Sequence, residues 1–439
     1  MWQQNCSGSY FFIVHNLQIG GFMLKRITLD NGVRIICERI PHVRSVSLGV
    51  WVGAGSRNET KEINGVSHFI EHMLFKGTNK RSAKEIAESI DSIGGQINAF
   101  TGKECTCYYT KTLDTHIDIA LDVLTDMFFN SIFSKKDIDV ERKVVIEEIG
   151  MYEDSPEELV HDYLSETVWN GDTIGMPILG TNDCLQKINR DTIVDYISSH
   201  YLPSNTVIAV AGNYDENLLI ENIKRNFGNW HTDKILSNEF EKVSFKTGKK
   251  IKEKDTEQMH ICLGFEGIEH GNDDLYSLLA VNNVFGGGMS SRLFQKIREE
   301  MGLVYSIYSY PSSYKNAGLY TIYAGMNPEH QDTFLKLVME EINILTKYGI
   351  SEDELAKSKE QLKGSYILGL ESTSSRMNSL GKSELMLGII NSPEEILNKI
   401  DAVNNDKVNE IIKRVFQVEK ASLAAVGNIK SDIDLGKYI

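Results

Sequence analysis

The sequence predicts an α+β protein made of two copies of one domain, with helices packed on a mostly antiparallel sheet. Three observations predict this. At 439 residues the chain is longer than one ordinary core accommodates, so two to three domains are expected. Strand-like and helix-like segments are interspersed, with hairpin signals between neighbouring strands. The chain also repeats itself at a nearly constant interval. Residues 201–213, ending in Gly212-Asn213, match residues 416–428, ending in Gly427-Asn428, 215 positions on. Tyr109-Thr110 before a long helical pattern match Tyr320-Thr321, 211 on, and Ser134 before an acidic helical pattern matches Ser351, 217 on. Three matches in one order, at a slowly drifting interval, are what a diverged duplication leaves.

In chain order, residues 1–22 carry no Lys or Arg, and the apolar run at 10–14 is short. They fit neither a secretory signal nor a transit peptide and are expected to be a poorly ordered extension. Residues 25–29 and 33–38 read as strands joined by Asp30-Asn31-Gly32, because Asn-Gly supplies the positive φ of a tight hairpin. Residues 45–52 form the next strand, and a polar loop runs on to Asn64. A helix then carries Gly65 through Thr78. Residues 82–93 form another, with Ser82 as N-cap and Gly94-Gly95 as its stop. Residues 96–101 and 104–110 read as a hairpin, and helices follow at 115–129, 135–152 and 156–167. The domains are therefore expected at 23–235 and 250–439, with a charged linker at 236–249.

The chemistry centres on the helix after Gly65. There His68 and His72 stand four apart, one above the other on one face. Two imidazoles at that spacing can share one tetrahedral Zn²⁺. Glu71 adjoins His72 and can take a proton from a water that the metal polarises, without being a ligand itself. The same pattern also arises on metal-free amphipathic helices. Against that, Phe69, Ile70, Met73 and Leu74 surround the polar residues with apolar ones, and a buried Glu is costly unless paired or beside a metal. A third protein ligand is required. The helix at 135–152 offers Glu141 and Glu148, seven apart and so on one face, whereas Glu147 points about 100° away.

His68-x-x-Glu71-His72, with Glu148 following His72 by 76 positions, resembles the insulinase/pitrilysin family of inverted zincins, in the branch of mitochondrial processing peptidase and its small bacterial relatives. The resemblance extends over nearly all of 23–439. It implies domains of the processing-peptidase type, with Zn²⁺, one per chain, on His68, His72 and Glu148. Glu71 is then the base, and Glu141 orients a ligand. It implies that Asn98, Ala99 and Phe100 lie on an edge strand that pairs with an extended peptide. It further implies that Arg298 and Tyr305, seven apart in the second half, hold the substrate backbone and the developing oxyanion. The family's chamber takes four such domains and this chain supplies two, which implies a homodimer with composite sites.

The second half lacks the metal set. At an interval of 217, Ser365 stands where Glu148 would, and the helical pattern at 275–284 has no His pair. Gly286-Gly287-Gly288 match neither nucleotide-binding glycine motif and read as a flexible loop.

Composition narrows the classes. A net charge of −15 argues against nucleic acid, and no apolar run reaches the ~18 residues of a membrane span. The six cysteines contain no C-x-x-C and read as reduced, buried or incidental cysteines of a cytoplasmic protein. The resemblance implies a zinc metalloendopeptidase acting on extended or unfolded peptides in a closed chamber, and composition does not oppose it. Two rivals are a non-catalytic subunit of the same fold and a zinc hydrolase or lyase of a small molecule.

Overall fold

The computed structural model describes residues 13–19, 22–234, 240–430 and 432–438. Through them the chain runs β1 (Ile13–Ile19), β2 (Phe22–Thr28), β3 (Arg34–Arg39), β4 (Ser45–Val52), α1 (Val66–Leu74), α2 (Ala83–Asp91), β5 (Gln96–Thr101), β6 (Thr106–Leu113), α3 (Ile117–Asn130), α4 (Lys135–Asp154) and α5 (Pro156–Val168). It continues with α6 (Asn182–Leu185), α7 (Arg190–His200), β7 (Thr206–Gly212), α8 (Glu216–Phe227), β8 (Lys249–Glu253), β9 (Met259–Glu266), α9 (Asp274–Phe285), β10 (Val304–Tyr314) and β11 (Ala317–Met326). The last elements are α10 (Gln331–Tyr348), α11 (Glu352–Gly369), α12 (Thr373–Met386), α13 (Pro393–Asp401), α14 (Asn405–Val415) and β12 (Ser422–Gly427). The architecture is α+β with two sheets, as the sequence predicts.

The chain forms two compact units. The first takes the described residues of 1–147, 178–238 and 368–392, and the second those of 148–177, 239–367 and 393–439. The first unit holds a seven-stranded sheet in the order β1-β2-β3-β7-β4-β6-β5, antiparallel except for the β3/β7 pair. β1 and β5 are its edge strands. One face of the sheet presents Ile36, Trp51, Val207 and Ala209, which Met377 and Leu380 of α12 cover. The approach is close: a Cβ on Gly381 would meet Trp51 Nε1 at 2.2 Å, so glycine is required there. Ser47 Oγ and Thr373 Oγ1 pair at 3.0 Å, and buried Glu384 accepts from Arg26 at 2.7 Å.

The second unit holds a five-stranded sheet in the order β10-β11-β9-β12-β8, antiparallel except for β12/β8. One of its faces packs Cys262, Tyr323 and Val426 against Val160 and Leu164 of α5. The other is covered by α9, α10 and α14 in a core that includes Leu278, Phe334 and Ile412.

The compact units are therefore not the sequential segments 23–235 and 250–439. α5 and α12 begin 217 positions apart, at the interval of the repeat, and each closes the sheet face of the unit built mostly by the other half. An amphipathic sheet must bury its second face, and sequence periodicity cannot say which helix does so.

Of the expected extension, residues 1–12 and 20–21 lie outside the described residues. Residues 13–19 are not a loose tail: they form β1, which pairs with β2 from Ile13 opposite Thr28 to Ile19 opposite Phe22. In the expected linker, 236–239 lie outside the described residues. Val243 and Phe245 join the core beside Trp169. Among the described residues no helix is long and apolar enough to cross a membrane, and the described cysteines are free and buried.

Candidate metal centre

α1 is a short helix without a side-chain cap of its own. Its N-cap is Gly65, at φ 96°, where a Cβ would meet Leu179 O at 2.6 Å. The cap comes from six residues upstream. Glu59, 2% exposed, accepts from the Gly65 N–H at 2.7 Å, the Ser67 N–H at 2.8 Å and Asn64 Nδ2 at 2.9 Å. A carboxylate there meets the orphan donors and the positive end of the helix dipole. Ser67 Oγ pairs with Tyr196 OH at 2.7 Å and ties the first turn to α7. Val66, Phe69, Ile70, Met73 and Leu74 are all buried, which fixes the rotation of α1 and leaves His68, Glu71 and His72 on one side.

α4 brings the second set of groups. Ser134 Oγ accepts from the Asp137 N–H at 3.1 Å and caps it. Arg142 donates to Leu185 O at 3.0 Å and Ile188 O at 2.7 Å, which pins its middle. Glu141 Oε1 then lies 2.8 Å from His72 Nδ1, and its Oε2 lies 2.7 Å from Lys76 Nζ. Two turns on along the same helix, Glu148 reaches His68 and His72. One ligand atom from each of the three lies within 4.8 Å of the other two. Glu147 is exposed.

The donor set fits Zn²⁺. Two imidazoles and a carboxylate are a catalytic zinc complement, and here the three offer their atoms within 4.8 Å of one another. The two rings stand edge-on with centroids 4.6 Å apart. Burial, and then the neighbouring His72, push the His68 pKa down to about 3, so its imidazole is neutral. At Glu141, burial alone would raise the pKa. The hydrogen bonds from His72 and Lys76, with the Lys76 charge, outweigh it and hold the group below its ordinary value. An ionised Glu141 keeps the His72 proton on Nδ1 and the lone pair on Nε2.

Around this group, Glu71 Oε2 accepts from Thr101 Oγ1 at 2.5 Å. Asn98, Ala99 and Phe100 lie on the edge strand β5, with the Phe100 ring edge-on to Trp51 at 5.4 Å. A groove of about 670 Å³ opens between β5 and α2, lined by Phe75, Lys76, Ile86, Gln96, Asn98 and Tyr109 among others. In the second unit, Arg298 Nε donates to the Tyr305 carbonyl at 2.9 Å, and Tyr305 is 74% exposed.

Sequence reasoning did not identify Glu59, Lys76 or Thr101. Lys76 had a signal, one turn beyond His72. Glu59 and Thr101 had none, since neither lies at a standard cap or pairing interval from the residue it serves. Glu59 also titrates unusually. Burial raises its pKa from 4.5 to about 7, against its hydrogen bonds from Ser67, Gly65 and Asn64. Between those values the folded state holds a proton that the unfolded chain has released. This group therefore makes stability fall as pH rises across that window. Glu59→Gln is expected to remove that part of the slope, measured as the difference between the urea midpoints of the two proteins at pH 5 and pH 7.5; parallel midpoints in both proteins would contradict it.

The geometry can be set beside known proteins. The family model described as insulinase (peptidase family M16) matches residues 34–182, and that of the peptidase M16 inactive domain matches 187–362. An uncharacterized zinc protease of Bacillus subtilis is 49% identical over 412 residues, 93% of this chain and 100% of the relative. Another, of Streptomyces coelicolor, is 38% identical over 416 residues, 93% of this chain and 90% of the relative. A solved structure of a protease from Helicobacter pylori shares the fold with a TM-score of 0.86 at 21% identity, over 92% of this chain and 99% of that one.

Proposed function

The chain belongs to the insulinase family, peptidase family M16, and on that premise we propose that it is a zinc metalloendopeptidase that cleaves extended or unfolded peptides. One observation carries the reading: His68, His72 and Glu148 converge, with Glu71 on the same helix as the two histidines and the edge strand β5 beside it.

His68, His72 and Glu148 would hold the zinc. Bound there, zinc supplies a Lewis acid that polarises water and the scissile carbonyl. Glu71 takes the proton from the attacking water on its carboxylate and delivers it to the leaving amine nitrogen as the C–N bond breaks. Glu141 fixes the tautomer and orientation of His72. An extended peptide adds to β5, where Asn98, Ala99 and Phe100 offer main-chain hydrogen bonds and so read little side-chain sequence. The groove beside β5 takes a side chain next to the cleaved bond.

Arg298 and Tyr305 complete the proposal, the Tyr hydroxyl donating to the carbonyl oxygen as charge develops and the Arg holding the substrate backbone. A two-fold homodimer would enclose a chamber that admits flexible chains, each site pairing the zinc ligands of one subunit with Arg298 and Tyr305 of the other. Mixing tests this. Glu71→Gln and Arg298→Ala homodimers are each impaired, whereas co-purified mixed dimers are expected to regain activity through one intact site. Mixed dimers no better than the Arg298→Ala parent would refute sharing between subunits.

The reading itself is tested on an unstructured peptide library. Internal cleavage, abolished by a chelator and restored by Zn²⁺, is the expected result. Stoichiometric zinc with no cleavage anywhere in the library would overturn it in favour of a non-catalytic subunit.

A further inference from the structure

From the hydrogen bond between Thr101 and Glu71, we infer that Thr101 is a positioning residue that ties the orientation of the general base to the edge strand on which the peptide docks. The inference rests on the peptidase reading and specifies how its site is controlled.

Side chains on a strand alternate, and β5 follows the rule. Gln96, Asn98 and Phe100 are exposed, while Ile97, Ala99 and Thr101 are half-buried. α1 packs across β5, and Thr101 is the last residue of the strand. Its Oγ1 donates to Glu71 Oε2 at 2.5 Å. A glutamate has three rotatable bonds, and holding one carboxylate oxygen removes much of that freedom. The main chain of Thr101 is fixed from the other side, because it stands opposite Thr106 in the β5/β6 pair and Thr106 Oγ1 donates to Ala54 O at 2.8 Å.

A peptide adding to the outer edge of β5 makes its hydrogen bonds to the strand whose last side chain holds the base. Because β6 already fixes β5, a docked peptide and the Glu71 carboxylate are held on the same strand, which sets where the base stands relative to the bound chain. Threonine suits both tasks: its β-branch favours the strand, and its hydroxyl is the donor. Valine keeps the shape and loses the donor, whereas serine keeps the donor.

The test compares Thr101→Val, Thr101→Ala and Thr101→Ser with the wild type in its zinc-loaded form on one unstructured peptide. Thr101→Val and Thr101→Ala are expected to lower kcat by about 10–100-fold with KM within about twofold, the signature of a misplaced catalytic group. Thr101→Ser is expected to stay within about threefold of wild type. Zinc affinity by chelator competition and the melting temperature are expected to stay level across the series, which separates positioning from loss of metal or fold. Thr101→Ala keeps the test valid if Thr101→Val does not fold. A wild-type kcat in Thr101→Val or Thr101→Ala, a loss confined to KM, or a Thr101→Ser variant as slow as Thr101→Val would overturn the inference while leaving the peptidase reading intact. A wild type that cleaves no peptide overturns both.

Discussion

Glu71→Gln is expected to bind zinc stoichiometrically and to lose about 10³- to 10⁴-fold in kcat, the upper part of what a positioned general base contributes. The substitution removes the proton acceptor and little else. Gln is isosteric, its amide oxygen can still accept from Thr101, and the His68/His72/Glu148 group does not include position 71. Zinc content by elemental analysis and turnover on one peptide decide the matter together. His68→Ala provides the contrast, since it is expected to lose both zinc and activity. If Glu71→Gln sheds zinc as readily as His68→Ala, Glu71 is part of the metal group and the assignment of the base fails. If Glu71→Gln turns over at the wild-type rate, another group takes the proton.

Glu148→Ala is expected to weaken zinc binding by at least about 100-fold, beyond the 10–100-fold that loss of an outer hydrogen-bonding partner costs, while Glu147→Ala leaves it unchanged. The two carboxylates are neighbours in sequence and opposite in setting. Glu148 contributes an atom to the cluster, and Glu147 faces solvent. Glu141→Ala should fall between them, because its carboxylate bonds His72 Nδ1 but is not itself one of the three grouped side chains. Chelator competition on the three variants yields this ranking directly. Equal zinc loss from Glu147→Ala and Glu148→Ala would mean that the face of α4 has been misassigned.

The His68/His72 pair was legible because helical spacing is local and strict, whereas the choice of Glu148 as third ligand came from the family resemblance. His68 and His72 at four residues and Glu141 and Glu148 at seven specify faces before any tertiary contact is known. The α+β class was legible from the repeat and the hairpin signals. The pairing of helices with sheets was not, since α5 and α12 have ordinary amphipathic patterns that suit either sheet. β1 was not legible because residues 1–22, without Lys or Arg and with only a short apolar run, were expected to be a poorly ordered extension. Glu59 and Thr101 were illegible for a shared reason. Each acts across a fold-dependent distance, one capping a helix from a loop and the other reaching thirty residues back to Glu71.

The helix that covers the first sheet also has a consequence for synthesis on the ribosome. β7, the last strand of that sheet, is complete at residue 212, but α12 begins only at residue 373. At ordinary translation rates the gap lasts roughly 8–30 s. Throughout it the face carrying Ile36, Trp51, Val207 and Ala209 is a nascent surface without its helix. The first half of the chain must wait for the second, and a message truncated after β7 yields a product with an adhesive sheet, a natural client for chaperones and proteases rather than a free-standing domain.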